Sequence, residues 1–323
     1  LSCAIWKSRI RIAEVRTMSE MQPTMTEQEA IDVLRKYILD TGKTQTAVAK
    51  ELNISSGALS SFLKGTYKAP HTVVPKVQEL LHLSEKKKVA PRKPDYVETG
   101  ISRTVLNAIR YSHIQGQVSV VYGDAGIGKT MAFRRYLEEN SLAVGITISP
   151  TYSSITGVNE LLAEQIGVRE RVARRITREI VSKLRGSGRV VIIDEAQHLT
   201  TRTLNHLRCI SDESGVGICL IGNLEVYTRM KGSGKADFAQ LFSRIGMAKP
   251  LMTIDITRDD VDRIFGQHGI DRESLDMLYR ICQTTYGLRG AVNVFVNTAA
   301  VFEQITAANV TKVMRDMNIG VSA

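Results

Sequence analysis

Apolar positions follow two different periods along this chain. Over residues 27–40 they recur three and four apart, at Ala30, Val33, Leu34, Tyr37 and Ile38, behind a Thr26/Glu29 capping box, which predicts an amphipathic helix. Residues 44–52 and 55–64 continue that spacing and meet at Asn53-Ile54, so a small helical module is expected over 26–83. Farther along, short runs rich in Val and Ile replace it at 118–122, 142–148, 189–194 and 216–221, and 252–256 reads as a last strand. Short apolar runs of this kind predict strands buried on both faces, and hence a parallel sheet. Helical stretches alternate with them at 99–115, 131–140, 154–166, 169–185 and 199–211, and only helices follow, at 259–267, 271–282, 288–305 and 306–317. The alternation predicts an α/β core of three layers with a helical module before it and a helical domain after it.

Composition sets the limits. At 323 residues and 43% apolar the chain can bury two or three domain cores. No apolar run reaches the roughly eighteen residues of a membrane span, and no membrane partner is expected. The first residues lack the continuous apolar stretch of a secretory signal. With Met18, Met21 and Met25 close behind, residues 1–25 read as a disordered upstream extension. Residues 84–98, charged and broken by Pro91 and Pro94, read as the linker between the module and a core at 99–255; the helical domain is expected over 256–323. Cys3, Cys209, Cys219 and Cys282 form no C-x-x-C pair, which argues against a zinc site or disulfide framework and for a reducing cytoplasm. A net charge of +10 with a pI near 9.5 points to a polyanion, although many of these charges could simply solvate helix faces.

The apolar run at 118–122 ends in Gly123-Asp124-Ala125-Gly126-Ile127-Gly128-Lys129-Thr130 and feeds a helix, which is the G-x-x-x-x-G-K-[ST] phosphate loop in its required setting. Its glycines allow backbone N–H groups to turn inward onto phosphate oxygens, beside the N-terminus of the helix. Lys129 is placed to reach the β- and γ-phosphates of ATP, and the Thr130 hydroxyl to hold Mg²⁺. Some 65 residues later a second buried strand ends in Asp194-Glu195. There Asp194 is expected to orient the metal and Glu195 to act as base toward the attacking water; the alternative is a helix N-cap.

Other residues extend this site. Asn223 ends the strand 216–221 and is a candidate for positioning the lytic water, or else a turn-forming Asn after Gly. Residues 238–244 are expected to form a short amphipathic helix ending in Arg244, either an arginine finger offered to a neighbouring subunit or a cap for its own helix. Arg289 at the start of a helix opposes the helix dipole, which suggests an anionic partner such as the γ-phosphate.

The nucleic-acid candidates are of two kinds. The pattern from Gln45 to Gly65 resembles a repressor-type helix-turn-helix with Ala49 at the tight contact, and would turn Ser55, Ser56, Ser60, Ser61 and Lys64 to the groove. Short hydroxyls contact phosphates and read bases poorly; a three-helix bundle without a DNA role is the alternative. The segment 169–185 interleaves Arg171, Arg174, Arg175 and Arg178 with apolar positions, a DNA-backbone contact or a solvated face.

Phosphate loop, acidic strand end, Asn223, Arg244 and Arg289 stand in the order of an AAA+ ATPase with a helical lid. With the helical module in front, Val191-Ile192-Ile193-Asp194-Glu195-Ala196-x-His198-Leu199 and Phe238-Ala239-x-Leu241-Phe242-Ser243-Arg244-Ile245 resemble the B proteins of Mu-like transposing phages. The likeness runs from about Thr26 to the end, and residues 1–25 have no counterpart in it. It implies an ATPase of the host cytoplasm that binds double-stranded DNA with little sequence preference, assembles into ATP-dependent helical oligomers, delivers target DNA to a phage transposase, and leaves on hydrolysis to give target immunity. Arg289 would be the second sensor. The rivals are a replication-initiation, helicase-loader or secretion ATPase of the same superfamily, and a helix-turn-helix regulator that only senses nucleotide.

Overall fold

The computed structural model describes residues 25–89, 91, 93–170, 172–231 and 243–320, without the side chains of 86–89, 173, 174, 230 and 231. The expected extension up to residue 24, residues 238–242 of the helix expected over 238–244, and Arg171 lie outside the described residues. Two compact units divide between Arg92 and Lys93.

The first unit is helical. α1 (Glu27–Thr41) starts at the capping box Thr26/Glu29 and ends at Gly42 in the left-handed conformation. α2 (Gln45–Glu51) and α3 (Ser56–Leu63) are capped by Thr44 and Ser55, and the turn between them passes through Asn53 at φ 50°, a left-handed position that Asn tolerates. Leu34, Val48, Ala49, Leu59, Phe62 and Val77 close the core. α4 (Val74–Val89) runs through residues 84–89, which were expected to be linker. Glu and Lys are good helix formers, and the prolines that bar a helix come only at 91 and 94.

In the second unit the chain order is α5 (Gly100–Gln115), β1 (Val118–Gly123), α6 (Lys129–Glu139), β2 (Ala143–Thr147), α7 (Ile155–Ile166), α8 (Ala173–Leu184), β3 (Val190–Asp194), α9 (Thr201–Ser214), β4 (Gly217–Gly222), α10 (Leu224–Lys231) and β5 (Ile245–Leu251). α11 (Arg258–Phe265), α12 (Arg272–Cys282), α13 (Gly287–Val301) and α14 (Ala307–Asp316) complete it. The sheet order is β2-β3-β4-β1-β5, every pair parallel, so the C-terminal ends of β1, β3 and β4 emerge side by side. A crevice at the carboxyl ends of parallel strands is where such sheets hold ligands.

The fifth strand is not the one expected. Residues 252–256 make a short turn in which the Met252 amide donates to Asp255 Oδ2 at 2.7 Å. The strand precedes it and carries Gly246, Lys249 and Pro250, residues that disguise it; the proline is tolerated because β5 is at the sheet edge.

Alternate strand residues serve two layers. Val121, Ile192 and Ile221 lie in the cluster of α5 and α6, while Val120, Val191, Ile193 and Leu220 lie in that of α7, α8 and α9. Phe265, Leu278, Ile281 and Val294 belong to the same cluster as Ile101, Val105 and Ile109. The helices after residue 256 pack chiefly on one another, α12 against α13 and both against α14, and their buried residues join the cluster on one face of the sheet. Among the described residues no helix is long and apolar enough to cross a membrane.

Candidate active site

The loop between β1 and α6 is shaped by glycine. A Cβ on Gly123, at φ 145°, would lie 1.7 Å from the Leu251 carbonyl oxygen of β5, so no other residue fits there. Gly128, at φ 104°, precedes α6, and no side chain caps that helix, so its first N–H groups are left to serve an anion. Lys129 Nζ arches back over the loop and donates to the Gly123 and Asp124 carbonyls at 3.1 and 2.5 Å. Burial pulls the Lys129 ammonium below its ordinary value, Asp194, Glu195 and Asp124 oppose the shift, and the Arg289 charge adds to it. Two cations and three carboxylates thus share one field.

β3 delivers the acidic pair. Asp194 is 2% exposed, and its Oδ2 accepts from the Thr130 hydroxyl at 2.8 Å. Burial raises the carboxyl above its ordinary value, and the Thr130 hydrogen bond works in the opposite direction. Glu195 sits at φ 56°, a left-handed backbone that an unbranched, non-glycine residue adopts at a cost of about 1–2 kcal/mol. The kink ends the strand and turns Glu195 off its line. Asn223, at the end of β4, donates its N–H to Gln197 Oε1 at 3.3 Å, and its own Oδ1 accepts from the Glu225 amide at 2.9 Å. The turn-forming role weighed for Asn223 is therefore present, with the residue between the phosphate-loop strand and the acidic strand.

The C-terminal helices reach the same loop. The Arg289 amide donates to the Gly126 carbonyl at 2.9 Å, and a Cβ on Gly126 would meet Tyr286 O at 3.1 Å. Asp124 Oδ2 accepts from the Thr253 amide at 2.8 Å. The start of α13 and the segment after β5 hold the loop from two sides.

Other candidates lie elsewhere. Arg244 directly precedes β5, whose Ile245 pairs with Val118 and whose Leu251 pairs with Gly123. It is therefore at the far end of the strands from the phosphate loop, about 20 Å away along β5. Its Nε lies 3.5 Å from Asp212 Oδ1, a carboxylate that also pairs with Arg208. The helix expected over 169–185 begins only at Ala173; Arg175 and Arg178 are exposed on it, and the Arg174 side chain is among those not described. Two cations of that stretch serve helix ends instead, Lys183 donating to the Gly167 carbonyl at 2.6 Å and Arg185 to that of Glu213 at 2.9 Å. In the first unit Ser56 and Lys64 are exposed and Ser60 is half-buried, but the Ser55 hydroxyl accepts from the Ala58 amide at 3.1 Å as a helix cap. The sequence pattern missed Gln197 and Arg229, whose guanidinium donates to the Gln197 and Leu199 carbonyls at 2.7 and 2.6 Å. Polar residues two or more places from a motif carry no spacing of their own.

A family model described as an AAA domain matches residues 113–230. The chain is 32% identical over 269 residues to the Mu-like prophage FluMu DNA transposition protein B of Haemophilus influenzae, a match covering 80% of this chain and 92% of that one. It belongs to the transposition protein B family of Mu-like phages. A second member, the ATP-dependent target DNA activator B of Escherichia phage Mu, is 31% identical over 261 residues, 79% of this chain and 83% of that one. The crystal structure of Cdc6p from Pyrobaculum aerophilum shares the fold at 15% identity, with a TM-score of 0.54 over 73% of this chain and 72% of that one. This family member is built as an AAA+ ATPase.

Proposed function

We propose that the protein binds ATP and Mg²⁺ at the loop from Gly123 to Thr130, hydrolyses the nucleotide, and uses the cycle to hold double-stranded DNA as a target for a phage transposase in the host cytoplasm. The observation that carries the reading is the Thr130 to Asp194 hydrogen bond, which joins the ends of two separately recognised motifs. A hydroxyl beside a buried carboxylate is the hard-oxygen donor set that suits Mg²⁺. Bound there, the ion would supply neutralisation of phosphate charge. Backbone N–H groups from Gly123 through Gly128, with Asp124, Ala125, Gly126 and Ile127 between, would wrap the phosphates, and Lys129 would exchange its two loop carbonyls for phosphate oxygens. Glu195 would take the proton of the attacking water, Asn223 would help to place that water, and Arg289 would sense the γ-phosphate from α13.

The position of Arg244 supports assembly. It lies at the opposite end of the sheet from its own loop, so a nucleotide it served would be that of another copy, as in ATPases completed at subunit contacts. ATP would order that contact into a helical oligomer, with Arg175, Arg178 and the neighbouring Arg171 and Arg174 facing the DNA backbone, and hydrolysis would release it. The relatives named as ATP-dependent target DNA activators support this use of the cycle. The test is binding to random-sequence duplex DNA with ATP, with ADP and without nucleotide, across salt, with electron microscopy of the ATP-bound complexes. Binding that requires ATP, falls steeply with salt and accompanies helical assemblies is expected. Absence of nucleotide affinity, or DNA binding indifferent to nucleotide, would overturn the proposal.

A further inference from the structure

Gln197 lies on the turn after β3 and spans two residues of the site. Its Nε2 donates to Glu195 Oε2, and its Oε1 accepts from the Asn223 amide at 3.3 Å. A carboxylate can only accept and an N–H can only donate, so these two partners fix which end of the amide faces which. The surroundings are built to receive it. A Cβ on Gly222 would fall 2.7 Å from Gln197 Oε1 and 3.3 Å from its backbone nitrogen, so glycine at the end of β4 is what admits the side chain. Arg229 of α10 holds the same turn through the Gln197 and Leu199 carbonyls.

We propose that Gln197 is a positioning residue for hydrolysis: it holds the Glu195 carboxylate in one orientation and ties that orientation to the end of β4. This rests on Glu195 acting as the base. The left-handed backbone of Glu195 aims its Cα–Cβ bond but leaves the rest of a long, half-exposed side chain free to rotate, and freedom in a catalytic base costs rate. The amide of Gln197 removes that freedom. Because its other end is bound to Asn223, a shift of β4 relative to β3 moves the carboxylate with it. Arg229 adds α10, which follows Asn223, to the same unit.

The experiment is steady-state ATP hydrolysis by the full chain with Mg²⁺ and duplex DNA, together with fluorescent-nucleotide affinity, for Q197L, Q197M, E195Q and E195Q/Q197L. Leu and Met keep the bulk and lose both hydrogen bonds, and thermal melting of each variant establishes that it is folded. Loss of about ten- to hundredfold in kcat for Q197L or Q197M, with nucleotide Kd unchanged, is expected. The double variant should be no slower than E195Q, since a residue that acts through Glu195 has nothing left to act through. Full kcat in the Gln197 variants, an equal fall in nucleotide affinity, or a further loss in the double variant would overturn the proposal. Normal turnover by E195Q would remove the base assignment itself, and that result is read from the single variant independently of Gln197.

Discussion

Thr130 Oγ1 donates to Asp194 Oδ2 at 2.8 Å, a contact between residues 64 apart in sequence. The two side chains enter the crevice from α6 and from the end of β3, and each limits how the other can turn. Replacing Thr130 by Ala is expected to cut Mg²⁺-dependent hydrolysis by about tenfold or more, while Thr130→Ser, which keeps the hydroxyl, retains most of it. Hydrolysis measured over a Mg²⁺ titration checks this, and equal rates for the Ala and Ser variants would contradict it.

Lys129 and Glu195 should separate binding from chemistry. Lys129→Ala is expected to abolish ATP-dependent DNA binding, because the half-buried ammonium that would meet the phosphates is gone. Glu195→Gln should keep that binding and lose turnover by about 10²- to 10⁴-fold. DNA gel shifts and phosphate release on the same preparations distinguish the two outcomes.

Arg244 lies too far from its own phosphate loop to serve it. Arg244→Ala should therefore bind nucleotide normally and hydrolyse slowly, by about 10³-fold for an arginine finger. Mixing it with Lys129→Ala, which lacks a working loop but keeps the arginine, should restore part of the rate. Titration of one variant with the other in a hydrolysis assay tests the prediction, and a flat response would place Arg244 outside the chemistry.

Arg175 and Arg178 stand exposed on α8, free of the helix-end work that occupies Lys183 and Arg185. Their double replacement by Ala should weaken DNA binding alike on unrelated sequences and reduce the slope of log affinity against log salt by about two. Fluorescence anisotropy across a salt series measures both effects.

His206 offers a pH test of the core. Its Nε2 lies 2.9 Å from Asn159 Oδ1, whose amide nitrogen donates to the Thr177 hydroxyl, and burial pulls the imidazole below its ordinary value. As pH falls below about 6.5 the unfolded chain takes up a proton before the folded one, so this group's contribution to stability is complete above that pH and is lost on acidification. Melting temperature should fall faster for the parent than for His206→Gln between about pH 7 and about pH 5. Parallel curves would contradict the assignment.

What the sequence revealed depended on whether a feature was local. The phosphate loop and the Asp194-Glu195 strand end were legible because strand, glycines and acids follow one another without a gap, and the buried strands announced themselves as Val- and Ile-rich runs. β5 was hidden because an edge strand tolerates Gly246, Lys249 and Pro250, while the alternating residues 252–256 imitated a strand that a single capping carboxylate turns into a bend. The distance of Arg244 from its own loop follows from the parallel register of β1 and β5, which no short stretch encodes. Gln197 was invisible for a related reason: its partners are Glu195 and a backbone N–H of another strand, brought together only by the sheet order.

The hydrogen bond from the Arg289 amide to the Gly126 carbonyl makes the end of the chain a lever mounted on the loop. When the loop closes around an anion, that peptide must either carry α13 with it or let it go. The three helices packed with α13 amplify either choice, so a fluorophore on α14 would report the filling of a cradle it never touches.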